Sequence, residues 1–200
     1  MTLGKVLAGL VAIAVAMVVL KALQDRPADP QEVKEAMAAE MDTLRTEADK
    51  RHPNLAKSEA LQAVAAERAS AQLAQQTGDK RALTAASLFY GFYFVNTRAR
   101  PEYCRSHGVD LAPFAKAFDA VHAAERDRAR ALLLRNGTDP ETLYPLMRDQ
   151  LGVTVAQDMQ DTAKGIQGSA ADACRVLNEH AAQFAATLVL PPEVRQALMQ

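Results

Sequence analysis

Residues 83–97, LTAASLFYGFYFVNT, decide how the rest of the chain is read. The core of this stretch, Phe89-Tyr90-Gly91-Phe92-Tyr93-Phe94, sets bulky groups at consecutive positions. Six helical positions cover more than one full turn, so these side chains point in every direction. A helix that is apolar all round is buried on most sides. The stretch therefore predicts a central helix, from Asp79 to about Thr97, with other helices packed around it.

Composition agrees with a helical fold. Ala, the strongest helix former, is abundant, Trp is absent, and β-branched runs are scarce outside the first two dozen residues. All the aromatic residues, four Tyr and six Phe, lie between Phe89 and Phe184. That asymmetry divides the chain into residues 1–24, residues 25–78 without aromatics, and residues 79–200 with all of them. The expectation is a compact all-α domain over 79–200 that folds without the residues before it. Residues 25–78 are expected to be a helical hairpin laid on that domain or a stalk pairing with another chain.

Working outward, apolar stripes mark the remaining helices. Val33, Met37, Met41, Leu44 and Ala48 recur at helical spacing within 31–51, and His52-Pro53-Asn54 ends that run. A thinner stripe (Leu61, Val64, Ala65, Leu73) marks a helix over about 55–76. Pro101 is expected to open a separate short turn carrying Tyr103 and Cys104. Asp110 is read as the N-cap of one long helix to about Arg135, with a core face of Leu111, Phe114, Phe118, Val121 and Leu132. Thr138-Asp139-Pro140 opens the next helix, whose pattern allows a bend at Gly152. Ser169 caps a further helix over about 170–188, and Pro191-Pro192 precedes a short terminal one.

At the other end, Val6 to Leu20 is a run of uncharged residues, mostly apolar (VLAGLVAIAVAMVVL). As a helix it spans about 22 Å, whereas Leu3 to Leu23 reaches about 31 Å, enough for a hydrocarbon core of roughly 30 Å. Lys5 and Lys21 would then snorkel to the two interfaces. The expectation is a single transmembrane helix over residues 3–23, acting as an uncleaved inner-membrane signal-anchor. A cleaved signal peptide, leaving a soluble periplasmic protein, is the competing reading. It lacks a small-x-small site after Leu20, since Ala14-Val15-Ala16 lies inside the apolar run. Lys5 faces Lys21, Arg26 and Lys34 across the segment, a count that mildly favours a cytoplasmic C-terminal domain.

The two cysteines favour the opposite, periplasmic side. Cys104 and Cys174 have neither a CxxC partner nor a His at metal spacing. In a chain with an export-type segment they read most simply as one disulfide, against the reading of two buried free thiols.

Candidate chemistry is sparse. Asn96, Arg98 and Arg100, with Tyr90 and Tyr93, are the candidates for a pocket beside the aromatic helix, where Arg forks suit a carboxylate or other anion. The plainer reading is capping and ion pairs with Glu102 or Asp110 for the polar three, and core tyrosines with bonded hydroxyls for the other two. His122 and Glu125, three apart, suit a base and its orienter or a pair of metal ligands, but more simply a surface His beside a surface Glu. Asp158 and Asp161 have no His or third acid near them. No cofactor, metal site, nucleophile elbow or phosphate-binding loop is indicated. The net charge of −1, or −3 with Lys5 and Lys21 set aside, lacks the basic footprint of nucleic-acid binding. The stretch FYGFYFVNTRARPEYCRSHGVDL (89–111) resembles small exported helical proteins of bacteria in type, and implies no functional residue. Three functions follow as expectations: a membrane-anchored interaction or assembly module with a protein partner, a small-ligand binder or inhibitor with a pocket near residues 83–97, and, least favoured, an enzyme.

Overall fold

In the computed structural model, which describes residues 29–200, α1 (Pro30–Arg51) starts where the sequence supplies both a cap and a fixed backbone angle. The Asp29 carboxylate accepts from the Gln31 N–H at 2.8 Å, and Pro30 takes the first helical position, where its missing N–H costs nothing. Val33, Met37, Met41, Leu44 and Ala48, the stripe read from the spacing, are all buried. α2 (Lys57–Ala74) returns alongside α1 and buries Ala60, Leu61, Val64, Ala65, Ala69 and Leu73. Its small residues let the two axes approach closely. Outside the seam, Arg68 bonds to Glu40 and Glu47, and Arg51 bonds to Glu47 and Glu67.

α3 (Gly78–Phe94) is the central helix, with every residue from Leu83 to Phe92 buried. It packs against α6 (Ala123–Arg135), α10 (Pro192–Met199) and α2. The aromatic cluster is continuous beyond it. Phe92 meets Phe118 of α5 (Ala112–Val121) with ring centroids 5.1 Å apart, and Phe94 meets Tyr144 of α7 (Tyr144–Gly165) at 5.3 Å. α7 passes Gly152 without a break and carries α1 and α2 on one part of its surface and α8 (Ala170–Glu179) on another. α9 (Ala181–Thr187) pairs with α5. The buried residues of the α1–α2 hairpin and of the later helices form one hydrophobic cluster.

Three helix boundaries differ from the sequence reading, each for a visible reason. The chain does not end a helix near Thr97 and start afresh at Pro101. It runs from α3 through a π-helical turn, Val95–Ala99, directly into α4 (Arg100–Ser106). In the widened turn the Arg100 N–H bonds to the carbonyl of Val95, five residues back. The Asn96 and Thr97 side chains donate to the carbonyls of Phe92 and Tyr93 at 2.9 and 2.8 Å. These bonds supply partners around the step at which Pro101 removes an N–H. The expected long helix from 110 to 135 is two helices, α5 and α6, because His122 turns inward between them. The last expected helix likewise breaks at His180 into α8 and α9. Gly137 (φ +78°) ends α6 in the left-handed conformation that favours glycine.

No helix among the described residues is long and apolar enough to cross a membrane. The anchor expected over residues 3–23, and the signal-peptide reading that competes with it, lie outside the described residues.

Candidate functional site

The side chains with the greatest chemical potential gather where α3 passes through its π turn into α4. Arg100 is 0% exposed. Its guanidinium bonds to the Asn96 side-chain oxygen, one turn back, and to the Asp158 carboxylate of α7 at 2.6 Å. Buried arginine must be paired, because an isolated charge in a low-dielectric interior is prohibitively costly. The π turn makes the pairing geometric, since widening the helix by one residue turns Arg100 to face α7. One turn on, Cys104 is joined to Cys174 of α8 with Cα atoms 5.7 Å apart and both residues fully buried. The separation falls within the range a disulfide requires, and the expected covalent link is present. Ion pair and disulfide together fasten α4 to α7 and α8.

The other residues proposed for a pocket are also turned to partners within the chain. Arg98 bonds to Glu141 and lies 5.0 Å from the ring centroids of both Phe94 and Tyr144. The Tyr93 hydroxyl donates to Asp119 of α5 at 2.6 Å, and Arg126 of α6 bonds to the same carboxylate. Burial, with the Asp119 bond second, pushes the Tyr93 phenol up to about 12. Burial opposes ionisation of Asp119 too, but its bonds from Arg126 and Tyr93 together hold it below its usual range. Tyr90 is buried against Phe89 and Phe94 and is raised by desolvation. Arg100 pairs with Asp158 and Arg98 with Glu141, whereas Glu102, offered by the sequence as an ion-pair partner, bonds to Arg148.

His122 and Glu125 are not a surface pair. They are 4% and 5% exposed. His122 Nε2 lies 2.9 Å from the Leu188 carbonyl, at the end of α9, and so carries the proton as donor. Its ring packs 4.4 Å from Phe118, and desolvation lowers its pKa below 6.5 despite the Leu188 bond. Glu125 accepts from Arg195 of α10 at 2.9 Å. Thus the two neighbours on one chain segment clasp two different C-terminal elements rather than each other. Asp161 accepts from the Ser58 N–H at 3.2 Å and from Gln157 at 3.1 Å, linking α7 to the start of α2. Among the described residues no group of three or more His, Cys, Asp or Glu could hold a metal ion.

An open concavity lies elsewhere, between the α1–α2 hairpin and α7. It holds about 490 Å³ and is walled by Ala48, Leu61 and Val153, with Arg45, Lys57 and Thr154 among its polar groups. The sequence reading missed it. Its residues come from three helices and carry no shared motif. The only sequence-level hint is Val153, an apolar residue off the buried face of α7 and 54% exposed. Comparison with family models, curated proteins and solved structures finds no match to this chain.

Proposed function

We propose that the chain is a membrane-anchored interaction or assembly module. Residues 3–23 hold it in the inner membrane, and the helical bundle stands on the periplasmic side and engages a protein partner. The observation that carries this reading is the use made of the chemistry-bearing side chains. His122, Glu125, Tyr93, Arg98 and Arg100 each direct polar atoms to another element of the fold. They serve as clasps of a rigid frame, and a frame of this kind works through its surface. The buried Cys104–Cys174 bond supports an oxidising compartment. The apolar run Val6–Leu20, with no small-x-small site after it, supports continued attachment. Cleavage after the run would leave the same module soluble in the periplasm.

Two measurements test this reading together. Capture of the full-length protein from detergent-solubilised membranes should bring down a stoichiometric partner, with less recovered by a chain lacking residues 1–24. In cells with a permeabilised outer membrane, reduction followed by a membrane-impermeant thiol reagent should label Cys104 and Cys174 once the protein is denatured in place. Labelling that requires lysis of the inner membrane would put the bundle on the other side, and capture of no partner by either chain would defeat the module reading.

A further inference from the structure

Where the start of α3 meets α6 and the end of α10, the chain gathers arginines that have no carboxylate. Most arginines among the described residues form an ion pair, but Arg81, Arg105, Arg128, Arg130 and Arg135 do not. Three of these five, Arg81, Arg128 and Arg135, line one cavity of about 310 Å³. Arg128 and Arg135 lie two turns apart on one face of α6, and Arg81 comes from the early part of α3, which packs against it. Arg128 Nε donates to the Leu198 carbonyl of α10 at 3.2 Å, which steadies the side chain and leaves both Nη nitrogens for another acceptor. Of the guanidinium nitrogens of Arg81 and Arg128, only Arg81 Nε is closed off without a partner, and Arg135 is exposed, so the tips of all three remain within reach of an occupant. The one acidic side chain in the lining is Asp79. The arginines outnumber it, and still do with a terminal carboxylate at Gln200 set against them. Like charges held together repel, and no side chain among the described residues neutralises these.

We propose that this cavity binds a phosphoryl group carried on a small polar body. Guanidinium forks match phosphate oxygens two at a time, and a tetrahedral dianion offers oxygens in three directions, one for each arginine. The Thr77 hydroxyl, which makes no cap bond, lines the same space and can donate as well. The apolar part of the lining is confined to Ala82, Leu132 and Ala197. That is too little to seat an acyl chain, so the phosphate arrives on a soluble polar carrier and not on a lipid. The volume sits at the lower end of small-molecule sites. An occupant neutralises charges drawn from α3 and α6 beside the end of α10, and so relieves a repulsion that the empty chain carries. The inference goes beyond the membrane reading and does not rest on it, because it uses only residues within the helical bundle.

The test uses the full-length protein in phosphatidylcholine nanodiscs, with empty nanodiscs as the blank. Glycerol 3-phosphate is titrated at about pH 8, where a phosphate monoester is a dianion. Malonate, a dianion built from two carboxylates, is the charge-matched control. Binding is read by saturation-transfer NMR and by the melting temperature. For a ligand of this size a saturable dissociation constant of about 0.1–1 mM is expected for glycerol 3-phosphate, with malonate at least about fivefold weaker. Arg135→Gln should weaken the phosphate roughly tenfold by removing one charged fork. It should leave the unliganded melting temperature unchanged or raise it, since Arg135 is exposed and one of the clustered charges is gone. Arg130→Gln controls for charge in bulk. Arg130 is exposed and without an ion pair on the same helix but lies outside the cavity lining, so this variant should bind as the parent chain does. Absence of saturable binding up to about 10 mM, a range beyond which affinity is negligible, would overturn the site. So would malonate binding as tightly as glycerol 3-phosphate, Arg135→Gln binding like the parent chain, or Arg130→Gln losing as much affinity as Arg135→Gln.

Discussion

The α1–α2 hairpin and the α3–α4 centre follow the same helical grammar and are stabilised in opposite ways. The hairpin has no aromatic residue. It is sealed by Val, Met, Leu and Ala, and its charges meet at the solvent boundary, where Arg51 and Arg68 bridge Glu40, Glu47 and Glu67. The centre brings its polar groups inside: Arg100 on Asn96 and Asp158, His122 on Leu188, Cys104 on Cys174. A surface ion pair contributes little because water and entropy compete with it. A buried one contributes little net, but losing one partner leaves the other charged and stranded. The hairpin should therefore tolerate polar substitution, while the centre should fail at single positions.

The widest test of that contrast removes the hairpin altogether. Counting aromatics predicts that residues 79–200 fold alone, whereas the shared core predicts that they do not. Val33, Met37, Met41 and Leu44 are fully buried, and each large apolar side chain contributes about 1.5–3 kcal/mol on burial. Their sum rivals the roughly 5–15 kcal/mol that holds a domain folded. A chain starting at Thr77 is expected to lose its cooperative melt by circular dichroism, and a sharp transition near that of the full chain would return the decision to the aromatic count.

Within the centre, Asp158→Ala should cost about 3–5 kcal/mol in denaturant unfolding, by stranding Arg100. Replacing Arg100 by Met and Asp158 by Leu together should recover much of that loss, and a double variant no better than the single would mean that the pair contributes more than mutual neutralisation. Cys174→Ser should lower stability by roughly 2–4 kcal/mol under oxidising conditions and by far less in reductant, since most of the effect acts on the unfolded chain. Equal losses in both conditions would assign the effect to packing.

A smaller effect is expected from pH. Burial depresses the His122 pKa below 6.5 in the fold, so between its folded pKa and 6.5 the unfolded chain binds the proton that the native chain refuses. Stability then falls as pH drops below 6.5 and levels off below the folded pKa. His122→Gln, which can still donate to the Leu188 carbonyl, should flatten that slope between about pH 5 and 6.5, where His is the side chain that ordinarily titrates. An unchanged slope would assign it to other groups. The smallest change belongs to the hairpin surface: Arg68→Gln should shift stability by at most about 1 kcal/mol, and a larger loss would show that the lattice on the hairpin is not the loose coating described above.

Legibility followed the same division. The α1 stripe was readable because one apolar face against one partner leaves a period of 3.6 in the sequence, and its five members are the five buried residues. The disulfide was readable from the presence of two cysteines behind an export-type segment. The π turn was not, because residues 89–95 are bulky at nearly every position and such a run looks the same in either helical register. Arg100 read as a pocket candidate or as a capping residue paired with Glu102 or Asp110, because its true partner lies 58 positions away. His122 read as a surface residue because imidazole suits either environment, and only the Leu188 carbonyl, brought up by α9, decides between them. The cleft under the hairpin joins residues from three helices, and no local pattern announces such a meeting.

The Cys104–Cys174 bond also fixes how far the chain can be drawn out under load. It closes a loop with a sequence separation of 70 that holds α5, α6 and α7. Pulled from its two ends, the oxidised chain pays out only the segments before Cys104 and after Cys174. The closed loop withholds about 240 Å of contour, at roughly 3.5 Å per residue. Reduction releases that length, so the bond acts as a mechanical stop whose setting depends on the redox state of the surroundings.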